Sequence, residues 1–140
     1  MKTIPAILML LFTGSLLFNC STSQEPLLSS ETYNYAAWDD ANRRIVTGWF
    51  RLHFTDSARV TGNWHFQKTA NAQNSGPQSG EGRLEGRVQD GTISINLNPD
   101  YVDNNVFLIG SYTRFRITGK WQYVSFIGVT SEGDFKAVRF

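Results

Sequence analysis

This 140-residue chain is poor in the residues on which most chemistry depends. It has one cysteine, Cys20, so no intramolecular disulfide can form and a folded domain must be held by its core. Its two histidines, His53 and His65, fall on the polar parity of their segments, where a metal site or a general base would lack converging partners. Neither Gly-x-Ser-x-Gly, His-Glu-x-x-His nor a phosphate loop occurs, so no catalytic residue, metal or cofactor is expected, and no enzyme activity. The segment from Asp100 to Asn105 carries oxygen ligands but not the spacing or glycine of a dedicated calcium loop. Charge is balanced, with 13 Lys and Arg against 12 Asp and Glu, which leaves nucleic acid an unexpected partner. No stretch repeats apolar residues at the helical period, so helical folds are excluded as well.

What the chain does have begins at its N-terminus. Lys2 precedes an apolar run from Ile4 to Phe18, interrupted only by Pro5, Thr13, Gly14 and Ser15, and a polar Ser/Thr/Gln stretch follows. The run is shorter than the roughly 20 residues that span a bilayer as a helix, so residues 1–19 read as a signal peptide. Leu17-Phe18-Asn19-Cys20 resembles the lipobox of bacterial lipoproteins, in which an aliphatic residue stands three before the cysteine that becomes the lipidated N-terminus. Leu17 and Cys20 fit that pattern; Phe18 and Asn19 depart from its commonest form. The resemblance implies acyl chains such as palmitate on Cys20, a membrane partner, and, from the non-acidic Ser21, the outer membrane of a bacterial envelope. Each buried methylene contributes ~0.8 kcal/mol, so two or more chains make such an anchor stable where one is marginal. Cleavage removes Lys2 and no acid, leaving 12 basic and 12 acidic residues. Residues 20–32, Ser/Thr-rich with Pro26, read as a polar tether, and residues 33–140 are enough for one domain.

In that domain apolar residues alternate with polar ones. Val46, Phe50, Leu52 and Phe54 share one parity; so do Val60, Trp64 and Phe66, then Leu84 and Val88, then Ile93, Ile95 and Leu97. Val106, Leu108 and Tyr112 follow, then Phe115, Ile117, Trp121 and Tyr123, and finally Phe135 and Ala137. Turn residues separate these runs, and Asp90-Gly91 is the strongest hairpin signal. Seven strands result, with an eighth possible over residues 33–38. The polar segment from Lys68 to Gly80 breaks the series and reads as a mobile loop or a lid.

Arg59-Val-Thr-Gly-Asn-Trp-His-Phe66 repeats in character as Arg116-Ile-Thr-Gly-Lys-Trp-Gln-Tyr123. Gly48, Gly62, Gly86, Gly110 and Gly119 all take the inward parity, where a glycine gives the core no side chain. Strong bending explains them, because strands that coil into a barrel kink at inward glycines. The expected fold class is therefore all-β, a single antiparallel up-and-down β-barrel of seven to eight strands. The short strands, the Gly-x-Trp repeats and the final Phe135-x-Ala137-x-Arg139 resemble small lipocalin-like or avidin-like barrels. That resemblance implies a Trp, from Trp64 or Trp121, packed by Arg139 as the barrel closure. Gly-x-Trp lies away from the first strand here, and a C-terminal helix is lacking.

Two uses of such a barrel are expected. In one, a small apolar ligand sits in the mouth, lined by Phe50, Trp64, Phe66, Trp121 and Tyr123. In the other, the barrel is solid and acts as a protein–protein interaction or inhibitor module for an envelope or host protein. The outward apolar residues Trp49, Phe107 and Ile109 would form its surface, unless the segment from Tyr33 to Trp38 covers them.

Overall fold

A computed structural model describes residues 29–70, 72–73 and 75–140; the expected signal peptide, Cys20 and the expected tether as far as residue 28 lie outside the described residues. The described chain is all-β. Eight strands follow one another: β1 (Ser30–Trp38), β2 (Arg44–Phe54), β3 (Arg59–Lys68), β4 (Gly80–Gln89), β5 (Thr92–Asn96), β6 (Asn105–Thr113), β7 (Arg116–Ser125) and β8 (Gly128–Arg139). Each pairs antiparallel with the next, and β8 pairs with β1 through Tyr33↔Arg139 to Trp38↔Asp134, closing an up-and-down barrel. Closure leaves no edge strand to template pairing with another chain.

The first strand begins earlier than the composition suggests. Ser30, Glu31 and Thr32 read as tether, but they pair with His53, Leu52 and Arg51 of β2. Glu31 points inward and is only 4% exposed. A carboxylate on the core parity hides a strand from a hydrophobic pattern, and it is tolerated because it is fully paired. Its oxygens accept from Tyr33 Oη (2.6 Å), Tyr112 Oη (3.2 Å), Arg114 Nε (3.2 Å) and Arg139 Nη1 (3.2 Å).

Around the barrel, inward parity holds for Tyr33, Tyr35, Phe50, Leu52, Trp64, Phe66, Leu84, Ile93, Ile95, Leu108, Ile117, Trp121 and Phe135, all buried. Burying each large side chain contributes ~1.5–3 kcal/mol, so this set holds the domain without disulfides. The outer wall carries Arg51, Arg83, Glu85, Arg87, Lys120 and Lys136, all exposed. Phe115, expected inside, is 73% exposed. It forms with Arg114 the two-residue turn between β6 and β7, whose frame is Thr113 Oγ1, bonded to both the amide and the carbonyl of Arg116. Without Gly or Asn, that turn gives no sequence signal.

The duplicated Arg-x-Thr-Gly-x-Trp segment occupies equivalent places in β3 and β7. Trp64 faces Phe50 on one side and Gly82 on the other; Trp121 faces Leu108 and Gly133. A Cβ on Gly82 would lie 2.9 Å from the Trp64 ring, and one on Gly133 would lie 2.7 Å from Trp121 Nε1, so each indole requires the glycine beneath it. Trp64 Nε1 donates to the carbonyl of Leu97 just after β5 (2.7 Å), and Trp121 Nε1 to that of Trp38 at the end of β1 (2.8 Å). Each indole thus latches its own strand to the strand two places on. The two latches lie across the barrel from each other, at the same end.

Candidate functional site

The residues expected to line a ligand fill the barrel themselves. Tyr35 stacks on Phe66 with ring centroids 4.3 Å apart, Trp64 lies 5.0 Å from Phe66, and Tyr33 lies 5.4 Å from Phe50. Phe50, Trp64, Phe66 and Trp121 are buried, and only Tyr123 is half-buried. Both ends are stopped by polar structure. At the end where β1 begins, here the tether end, stands Glu31 with its two tyrosines and two arginines. Burial and the adjacent carboxylate push the Tyr33 hydroxyl far above its ordinary range, and Tyr112 rises for the same reasons.

Arg139 belongs to that cluster. It does not pack on a tryptophan, because Trp121 faces Gly133, six residues back along β8, and both indoles serve the far end. The lipocalin-like Trp–Arg closure is therefore corrected to a Glu31–Arg139 closure.

At the far end the polar segment after β3 acts as a plug. Ser75 and Gln78 are fully buried; Gln78 Oε1 accepts from Tyr35 Oη (2.9 Å), and Gln78 Nε2 donates to the Ser75 carbonyl (2.8 Å). Burial also raises the Tyr35 hydroxyl well above its ordinary value. Gly76 lies against the Tyr123 ring so closely that a Cβ there would meet it at 2.6 Å, and Ala72 packs on the core. Composition gave this segment the look of a mobile loop or lid because its buried members are Ser and Gln.

The three residues expected to form an interaction surface do not meet. Trp49 is outward on β2, stacked with His65 (6.2 Å, 16°) under the Arg51 guanidinium at 6.0 Å. Phe107 and Ile109 are outward on β6, on a different part of the wall. Phe107 is half-buried and lines a shallow outer cleft of about 730 Å³ with Arg59, Glu85 and Arg87, while Ile109 is 42% exposed. The segment 33–38 is β1 and part of the wall, so it covers neither.

Other exposed apolar groups, on two loops at the far end, escaped the sequence pattern. In the β5–β6 loop Val102 is 95% exposed with Tyr101 beside it; in the neighbouring β7–β8 turn Phe126 is 83% and Ile127 88% exposed. Asparagines hold the loop in shape: Asn98 Nδ2 donates to the Asn104 carbonyl and Asn105 Nδ2 to that of Tyr101, each at 3.1 Å. Tyr123 Oη donates to Asn104 Oδ1 (2.6 Å) and ties the loop to β7. The Tyr101–Val102 tip therefore projects from a braced loop. The one sequence signal of both loops is the placing of apolar pairs inside turns, Tyr101-Val102 between two aspartates and Phe126-Ile127 before Gly128. A second cleft, about 410 Å³, opens beside the braced loop between Trp64, Pro77, Pro99 and Tyr101.

Among the described residues no three His, Cys, Asp or Glu side chains gather as a metal site. Neither a protein-family model, nor a curated protein, nor a solved structure matches the chain.

Proposed function

We propose that the chain is a lipid-anchored protein of a bacterial envelope whose solid barrel works as an interaction module. Cys20 carries the anchor, and the platform of Tyr101, Val102, Phe126 and Ile127 is offered to an envelope or host protein. The observation that carries this reading is where the apolar surface lies: packed ring on ring inside the barrel, and bare on two loops at its far end. Isolated exposed apolar residues are ordinary, but several large ones exposed at one end of a barrel suit an interaction site. Against a ligand-carrying barrel stands the burial of the very rings that would line it. The lipocalin-like resemblance then concerns the barrel's shape and not its cargo.

Photo-crosslinking in the producing cell tests this. A photoreactive amino acid at Val102 is expected to capture one protein of defined mass, and Phe126→Ser with Ile127→Ser is expected to abolish the capture. The same residue at exposed Ser94 on β5 is expected to capture nothing. Equal capture from both positions, or capture that survives the double substitution, refutes the platform.

A further inference from the structure

The anchor enters the barrel at a chemically distinct edge. Described chain begins at Ser29, whose carbonyl accepts from the Phe54 amide, and β1 leaves the tether end from there. Immediately beside β1 lies the end of β8, where the Phe140 amide donates to the Thr32 carbonyl. Next is the β6–β7 turn, where the Arg139 amide donates to the carbonyl of Phe115. Phe115 and Phe140 are exposed, as is Val138 between them and β7. Arg114 and Arg116 flank Phe115. Arg114 pairs with Glu31; Arg116 has no ionic partner among the described residues. The other acids of this end, Asp56 and Asp90, lie in other turns, and Asp56 is already paired with Arg59 at 2.8 Å. The far end, by contrast, carries Asp39, Asp40, Asp100, Asp103, Glu132 and Asp134.

The length of chain between anchor and barrel sets which end meets the membrane. Nine peptide steps join Cys20 to Ser29. A tilted ten-residue strand makes the barrel about 25 Å tall. Turning the far end to the bilayer would stretch the tether toward its limit of ~31 Å, whereas docking the tether end requires no extension. We propose that this edge rests on the bilayer that holds the Cys20 acyl chains, with Phe115 and Phe140 in the interfacial region and Arg114 and Arg116 at lipid phosphates. Aromatic rings and arginines are the side chains suited to that boundary. The inference rests on the lipid-anchored reading, and it explains how a platform at the far end comes to face away from the membrane.

The test uses the mature lipoprotein in vesicles of phosphatidylethanolamine and phosphatidylglycerol. Spin labels are placed singly at Phe115→Cys and Ile127→Cys, Cys20 being blocked by its acyl groups. The label at 115 is expected to meet dissolved oxygen in preference to an aqueous nickel chelate, and the label at 127 the reverse. Hydrogen exchange of the unlabelled protein checks that the label has not driven insertion. Amides from Ser111 to Ile117 are expected to slow on these vesicles relative to pure phosphatidylcholine, and Phe115→Ser with Arg116→Glu is expected to remove the difference. An aqueous label at 115, or protection that persists in detergent without vesicles and so reports a second copy, overturns the inference. Mass spectrometry of the N-terminal peptide separates this from failure of the anchor: without acyl groups on Cys20 the lipoprotein reading falls, whatever the edge does.

Discussion

Replacing Glu31 by Gln should destabilise the barrel by about 2–3 kcal/mol. The change keeps the shape but removes the charge and turns one of the two accepting oxygens, both of which receive donors, into an NH2 donor. The bonds from Tyr33 at 2.6 Å and Tyr112 at 3.2 Å are now made to a carboxylate. Such bonds contribute about 1.5–3 kcal/mol against ~0.5–1.5 for neutral ones, so each loses about 1 kcal/mol. Arg139, with a side chain 28% exposed, loses a partly sheltered ion pair that adds up to ~1 kcal/mol. Arg114, 65% exposed, turns to water and adds little. For a domain of this size the total lowers Tm by roughly 10 °C. Guanidinium unfolding and circular-dichroism melts of Glu31→Gln, beside Arg114→Gln as a near-neutral control, measure it. A Glu31→Gln loss below about 0.5 kcal/mol, the range of an ordinary surface change, would refute the claim that this cluster closes the tether end.

Three further outcomes follow from the same geometry. Gly133→Ala places a methyl against Trp121 Nε1 and the Trp38 carbonyl, and Gly82→Ala one against Trp64; each should cost ~1–3 kcal/mol by equilibrium unfolding, with a shift in tryptophan emission. Gln78→Ala leaves the Tyr35 hydroxyl buried without its acceptor, at about 1–3 kcal/mol, and should speed hydrogen exchange and proteolysis between Thr69 and Ser79 while sparing the strands. Tyr33, Tyr35 and Tyr112 have folded-state values raised above the unfolded one, so their contribution is complete below pH ~10 and is lost as pH rises beyond it. Their tyrosinate absorbance should therefore appear together with loss of the β-sheet signal, and free titration of all five tyrosines in a folded barrel would contradict their burial.

Most of the wall was legible in the sequence because a half-buried strand writes itself as alternation, as in Val46 to Phe54 or Ile93 to Leu97. The inward glycines announced the bending, and the two Gly-x-Trp segments pointed to equivalent places in the barrel. Their partners were not legible: Gly82 and Gly133, which make room for the indoles, lie on neighbouring strands that only pairing identifies. The errors share one cause, polar residues doing apolar work and the converse. Glu31 and Gln78 are buried through side-chain hydrogen bonds that no hydrophobic pattern records, and Ser75 is bonded there through its carbonyl alone, so a strand reads as tether and a plug as lid. Phe115, Val102, Phe126 and Ile127 are apolar yet stand on turns. Parity passes over such turn residues and points instead to Trp49, Phe107 and Ile109, because it names a face and not a neighbourhood.

The central claim is that the barrel is a solid scaffold whose working surfaces are outside it. Native mass spectrometry of the mature protein from its producing cell, extracted under mild conditions and released from detergent, tests this most directly. The account predicts the mass of the polypeptide with its Cys20 acyl groups and nothing more. A stoichiometric apolar molecule retained by the wild type, and lost when Phe66 is changed to Ala, would contradict it.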